Sequence, residues 1–286
     1  MEIHGRTDLA SEARGIRMRE GGAAGALRGV RAGEYRLHNL PVTSVEILDE
    51  EGAQALGKAP GHYDTLSLPA PLSRGDARFA DGAAALAELL GRRLPEEREG
   101  GVLIAALGNP DVTPDALGSL AAGSLLVTRH LKREEDPAFR GFASTLLCRT
   151  GVLGTTGVES AVQVRALCAA LHPACVLAID ALAGSELAGL CRSVQICDTG
   201  IAPGSGVGND REALDRASLG VPVIAVGVPT VIDASALAAG EELGDLFVTP
   251  RFIDSAVRSA ARLIAYGVNL ALHPGLTLGD IDLLVG

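Results

Sequence analysis

Short apolar runs alternate with helical stretches along this chain. VTSVEIL (42 to 48) and YDTLSL (63 to 68) read as strands around a short helix near 52 to 57, and residues 76 to 95 look helical. VLIAAL (102 to 107), VLAID (176 to 180), SVQIC (193 to 197) and VPVIAVGVP (221 to 229) are near-continuous apolar runs. Strands covered by helices on both faces have that pattern, because neither face meets water. The predicted fold class is α/β, with a mostly parallel or mixed sheet and helices on both faces. In the last long helix Ile253, Val257, Ala260, Ala261, Ile264 and Val268 share one face. Thr113-Pro114 and Thr249-Pro250 each offer an N-cap followed by Pro at the first helical position. Thr156 with Glu159 fits a capping box. Residues 1 to 33 are charged and Gly-rich and are predicted to form an arm. A single domain follows over 34 to 286.

The chain's 286 residues can bury a sizeable core. A net charge of −10 argues against a nucleic-acid surface. No apolar run is long enough to span a bilayer, and the polar start MEIHGRTDLASEARG is unlike a secretory signal. Cys148, Cys168, Cys175, Cys191 and Cys197 are odd in number and include no CxxC, which fits reduced thiols in a cytosolic protein. The His residues form no HxxxH pair, so neither a metal nor another cofactor is expected.

Ligands of parallel sheets gather at the carboxyl ends of strands. Asn109, Asp111 and Asp115 follow the run at 102 to 107. Asp180 follows the run at 176, with no Lys or Arg adjoining it. Asp198 follows SVQIC, and Asp233 follows the run at 221. Two carboxylates close together cannot both ionise easily, and such a pair can serve as acid and base on a water. Each also has a plainer reading. Asp115, early in a helix, suits the helix dipole, which contributes about 0.3–1 kcal/mol. Asp180 could cap the next helix. Asp198-Thr199-Gly200 matches the Asp-Thr-Gly of retropepsin-like proteases, but the α/β pattern argues against that β-rich fold. Gly204, Gly206, Gly208 and Asn209 lie in GSGVGN, which fits neither GxGxxG nor GxxxxGKS. A tight turn shaping a pocket is the favoured reading.

Taken together, several stretches resemble the germination protease family of spore-forming bacteria. They include RTDLASEAR (6 to 14), LGNPDVTPDALG (107 to 118), GVLGTTGVES (151 to 160), VLAIDALA (176 to 183), DTGIAPGSGVGN (198 to 209) and GVPVIAVGVPTVIDA (220 to 234). The stretch between Asp233 and Val248 is short where family members carry a long insertion.

The resemblance implies an α/β fold similar to that of hydrogenase-maturation proteases. It implies a cytoplasmic endopeptidase of the spore core that degrades small acid-soluble spore proteins during germination. It also implies an atypical aspartic mechanism, with Asp115 and Asp180 as the catalytic pair. The family is made as a zymogen, forms tetramers and removes its own N-terminal segment. Thr7-Asp8-Leu9-Ala10-Ser11-Glu12 resembles the family's substrate consensus, so the expected self-cleavage lies between Asp8 and Leu9. A plainer reading has Thr7 capping a short helix. Asn109, Asp198 and the Gly-rich loop are expected to support the site. The alternatives are a metal-dependent peptidase with Asp115, Asp180 and Asp198 as oxygen ligands, and a non-proteolytic binder that uses GSGVGN for an anion.

Overall fold

A computed structural model describes residues 7–20, 27–133, 139–208, 211–234 and 246–285. Its strands are β1 (Val30–Leu37), β2 (Leu40–Ile47), β3 (Gly61–Ser67), β4 (Val102–Leu107), β5 (Thr145–Gly151), β6 (Cys175–Gly184), β7 (Ser193–Cys197), β8 (Val223–Asp233) and β9 (Phe247–Val248). The helices are α1 (Ala10–Glu20), α2 (Glu50–Leu56), α3 (Phe79–Gly91), α4 (Leu117–Ala121), α5 (Arg129–Arg133), α6 (Leu153–Thr156), α7 (Ser160–Leu171), α8 (Arg216–Leu219), α9 (Ile253–Leu272) and α10 (Leu278–Val285).

The strands form one mixed sheet in the order β1-β2-β3-β7-β8-β6-β4-β5, with β9 added along β8. Pairings among β5, β4, β6 and β8 are parallel, and those from β8 through β7 to β1 are antiparallel. The change of direction is visible in the connections. Parallel neighbours need a dozen or more residues between them, usually a helix. Between β4 and β6 lie α4 to α7, whereas β1 and β2 are joined by the tight turn His38-Asn39, both at positive φ.

Side chains of successive strand residues point to opposite faces, so each central strand feeds two cores. Ile104, Leu177, Ile179, Ile224 and Val226 join α3 and α9 on one face. Leu103, Val176, Ala178 and Ala225 join residues of α1, α2 and α7 on the other. The expected stripe on α9 is there: Val257, Ala260, Ala261, Ile264 and Val268 are buried. Among the described residues no helix is long and apolar enough to cross a membrane.

Several local expectations fail for identifiable reasons. β6 does not stop at Asp180. It runs on to Gly184, because β8 keeps pairing with it as far as Gly184↔Ile232. The proposed Thr caps are engaged elsewhere. Thr113 lies inside a 3-10 turn (Thr113–Asp115) and its hydroxyl donates to Asp254. The Thr249 hydroxyl donates to the Thr230 carbonyl, and α9 begins later, at Ile253. Thr156 ends α6, and Glu159 makes no side-chain cap for α7. At the N-terminus the division at residue 33 falls within β1. Leu9 and Ala10 are buried, and α1 packs on α2 and β2.

Candidate active site

β4 and β6 deliver the two carboxylates. After Leu107 the chain turns at Gly108, whose φ of +92° favours glycine; a Cβ there would lie 1.9 Å from the Asp115 carbonyl oxygen. The loop returns through the 3-10 turn ending in Asp115, and the Asn109 N–H donates to Asp115 Oδ2 at 2.8 Å. α4 then presses onto the sheet at Gly118, where a Cβ would meet the Ile179 and Leu107 carbonyl oxygens at 2.4 and 2.5 Å. This close approach brings Asp115 beside Asp180, which stands on β6 in register with Gly227 of β8.

Asp180 is 4% exposed, and its Oδ1 accepts the Ala181 N–H at 2.9 Å. Burial raises its pKa well above the ordinary carboxylate value. The charges of Asp115 and Asp8 push the same way, while the Ala181 N–H and Arg211 oppose them. Asp115 is also raised by burial, against the lowering influence of the Asn109 N–H and Arg211. A carboxyl kept neutral beside one more readily ionised is the arrangement that acid–base work on water requires.

Both face a cavity of about 480 Å³, within the range of ligand sites. Asp8, Gly204, Gly206 and Arg211 line it too, with apolar walls from Val112, Val152, Val231 and Phe247. Gly206 is needed small: a Cβ there would meet Asp8 Oδ2 at 2.3 Å and the Ala183 Cβ at 2.6 Å. Gly204 and Gly208 both have positive φ and flank a 3-10 turn; Gly208 is exposed and outside the lining. Asn209 lies outside the described residues. Asn109 supports Asp115 through its backbone, and its side-chain Oδ1 accepts the Asp111 N–H.

Asp198 is not brought to the pair. β7 runs antiparallel to β8, so its carboxyl end points away: Gln195 is in register with Gly227, and Cys197 with Ala225. Asp198 instead accepts the His62 N–H at 2.8 Å and sits 2.9 Å from His62 Nδ1. The oxygen-ligand set of Asp115, Asp180 and Asp198 is therefore not assembled. Among the described residues no cluster of three or more His, Cys, Asp or Glu could hold a metal. The Gly-rich loop does receive an anion, but it is the chain's own: the Ser205 hydroxyl donates to Asp8 Oδ1 at 3.0 Å. Arg211, Ser205 and Gln195 were not singled out from sequence. Arg211 lies just after the Gly-rich loop, and only tertiary structure sets it beside an acid of the 3-10 turn and an acid of β6.

A family model described as germination protease matches residues 9–242. The chain belongs to the germination protease family. A germination protease of Clostridium perfringens is 38% identical, over 97% of this chain and 98% of its own. Those of Clostridium tetani and Caldanaerobacter subterraneus subsp. tengcongensis are 36% and 37% identical, with similar coverage. Like the rest of the germination protease family, this chain is a peptidase. The alignment with the C. perfringens protein runs over 324 positions against 286 residues here, so that relative carries residues this chain lacks. Among solved structures, a NiFe hydrogenase maturation protease from Thermococcus kodakarensis KOD1 covers 63% of this chain and 98% of its own, at 18% identity and a TM-score of 0.36. That likeness is too slight to argue from.

Proposed function

We propose that this chain is an endopeptidase that opens the degradation of small acid-soluble spore proteins during germination. It works in the spore core as a tetramer, is made as a zymogen that cuts itself between Asp8 and Leu9, and uses Asp115 and Asp180 as its water-activating pair. One observation carries the reading. The buried Asp180 shares its cavity with Asp115 and with Asp8, the residue before the expected cut.

In this mechanism the ionised Asp115 takes a proton from water as the water oxygen bonds to the carbonyl carbon of the scissile peptide. The protonated Asp180 gives its proton to the leaving nitrogen as the C–N bond breaks. A new carboxyl and a new amine result, and the pair ends with its protonation exchanged. The roles follow the environments: Asp180 is the more buried and its pKa the further raised, while Asp115 keeps its charge more readily.

The purified chain, incubated under mildly acidic conditions with and without a chelator, is expected to yield a new terminus at Leu9 in both. Asp180→Asn is expected to yield none. Cleavage that stops with the chelator and returns with added zinc or magnesium would transfer the chemistry to a metal. The same nick in Asp180→Asn would assign it to a contaminant.

A further inference from the structure

The segment from Thr7 to Glu12 is held residue by residue. The Asp8 N–H donates to the Ala183 carbonyl at 2.8 Å, and the Ala183 N–H donates back to Asp8 Oδ2 at 2.8 Å. The Ser205 hydroxyl takes the other carboxylate oxygen of Asp8. Leu9 and Ala10 are buried, with 1% and 0% exposure. Glu12 Oε2 accepts the Ser185 N–H at 2.6 Å and the Ser185 hydroxyl at 2.9 Å. An acid, a hydrophobe, a small residue and a second acid thus each have a matched place.

Gln195 spans the bond between Asp8 and Leu9. Its Nε2 donates to the Asp8 carbonyl at 3.0 Å, and its Oε1 accepts the Ala10 N–H at 2.8 Å. The Ala10 N–H can only donate, which fixes the amide's orientation and leaves Nε2 for the carbonyl. Capping α1 would need only the Oε1 half. Gln195 is 5% exposed and lies on the same sheet row as Asp180, with Gly227 between them. Residues in register on neighbouring strands point to the same face. Over Gly227 packs the Leu182 side chain, which a Cβ there would meet at 2.6 Å, so Leu182 stands between the two polar groups.

We propose that Thr7–Glu12 is seated as a substrate. In this seat Gln195 is a catalytic residue that polarises the scissile carbonyl, while Ser205 with the Ala183 N–H, and Ser185, select acids before and after the cut. The inference rests on the peptidase reading above. A donor about 2.7–3.1 Å from the oxygen that gains charge stabilises the tetrahedral intermediate, and losing one such donor costs about 10²–10³-fold in rate. An acid at the cut is preferred because its two oxygens accept from the Ala183 N–H and the Ser205 hydroxyl at once.

The test follows self-cleavage of the full-length chain as a first-order rate. Gln195→Glu keeps an acceptor for the Ala10 N–H and loses the donor. It is expected to slow the cut about 10²–10³-fold, while slow exchange of the Ala10 amide shows the segment still docked. Asp8→Asn and Ser205→Ala should each slow it, and the double variant should be no slower than the worse single one. A wild-type rate in a docked Gln195→Glu chain overturns the role of Gln195. Should that variant not fold, the Asp8–Ser205 cycle decides, and purely additive effects overturn the seat. A wild-type chain that does not cut between Asp8 and Leu9 defeats the self-processing proposed above and, with it, this inference.

Discussion

The backbone N–H of Asn109 donates to Oδ2 of Asp115 at 2.8 Å, so the loop leaving β4 clasps the carboxylate that the same chain delivers six residues later. Gly108 makes that clasp possible. Its positive φ lets the loop fold back, and its missing Cβ leaves room for the Asp115 carbonyl. Gly108→Ala is therefore expected to destabilise the fold by at least about 1–3 kcal/mol, the usual cost of a forced backbone conformation. It should also cut the hydrolytic rate well beyond any fraction unfolded, because Asp115 is displaced. Urea denaturation beside turnover checks both. An alanine variant with native stability and rate would show that the loop relaxes without moving Asp115.

Asp115→Asn and Asp180→Asn are each expected to lower turnover by at least about 10³-fold, since a cooperating pair fails when either member is lost. The stability gain should be greater at Asp180, the carboxyl raised further. Asp180 has a folded pKa raised well above the unfolded value. Below the unfolded value both states are protonated and nothing is lost. As pH rises through the folded pKa the unfolded chain has already ionised, and the fold is penalised. Asn carries no such penalty, so Asp180→Asn should melt higher than the wild type at neutral pH and near it at pH 3. A lower melting temperature at pH 7 would mean that the carboxyl stabilises the fold.

Three of the four parallel strands were legible because β4, β6 and β8 are buried on both faces and read as unbroken apolar runs; β5, partly exposed, was not. Asp180 stood out because it breaks such a run. Its strand was cut short for the same reason: a carboxylate looks like an end, and nothing local says that β8 goes on pairing. Asp198 was misplaced because strand direction is not a local property. The signal was the connection, since the stretch from Gly184 to Ser193 is too short for a parallel crossover. The Thr caps failed because Asp254 and the Thr230 carbonyl, distant in sequence, compete for the same hydroxyls. Gln195 was invisible for a related reason: inside SVQIC it is one polar residue in a strand, and its partners come from the N-terminal segment.

His273 gives a separate dependence on pH. It follows α9, is 1% exposed, and lies with its ring 5.0 Å from that of Phe142. Burial pushes its pKa down to about 4 from an ordinary 6.5. Above 6.5 the ring is neutral in both states and has no effect. As pH falls from 6.5 toward 4, the unfolded chain gains a proton that the fold refuses, and stability declines by as much as about 3 kcal/mol. Comparing urea midpoints of the wild type and His273→Leu at pH 7 and pH 4.5 should show a smaller acid loss in the variant. Equal losses would place the acid sensitivity elsewhere.

Arg211 exerts the smallest of the influences on the two carboxyls of the proposed pair, and it acts on both. In the proposed mechanism activity needs Asp115 ionised, so it is lost as pH falls through the pair's lower apparent pKa. It needs Asp180 protonated, so it is lost again as pH rises through the upper one, giving a bell. Arg211 favours the charged form of both carboxyls and lowers both values. Replacing it with Gln removes that pull, so both limbs of the profile should move to higher pH together. A change confined to substrate affinity, with the limbs in place, would make Arg211 a binding group alone. Movement of the limbs in opposite directions would contradict a single cation acting on both acids. The profile is best read from kcat/KM on a peptide containing Thr-Asp-Leu-Ala-Ser-Glu, with melting followed across the same range. Loss of the fold at either extreme is thereby separated from titration of the pair, and the displacement of each limb reports on Arg211 directly.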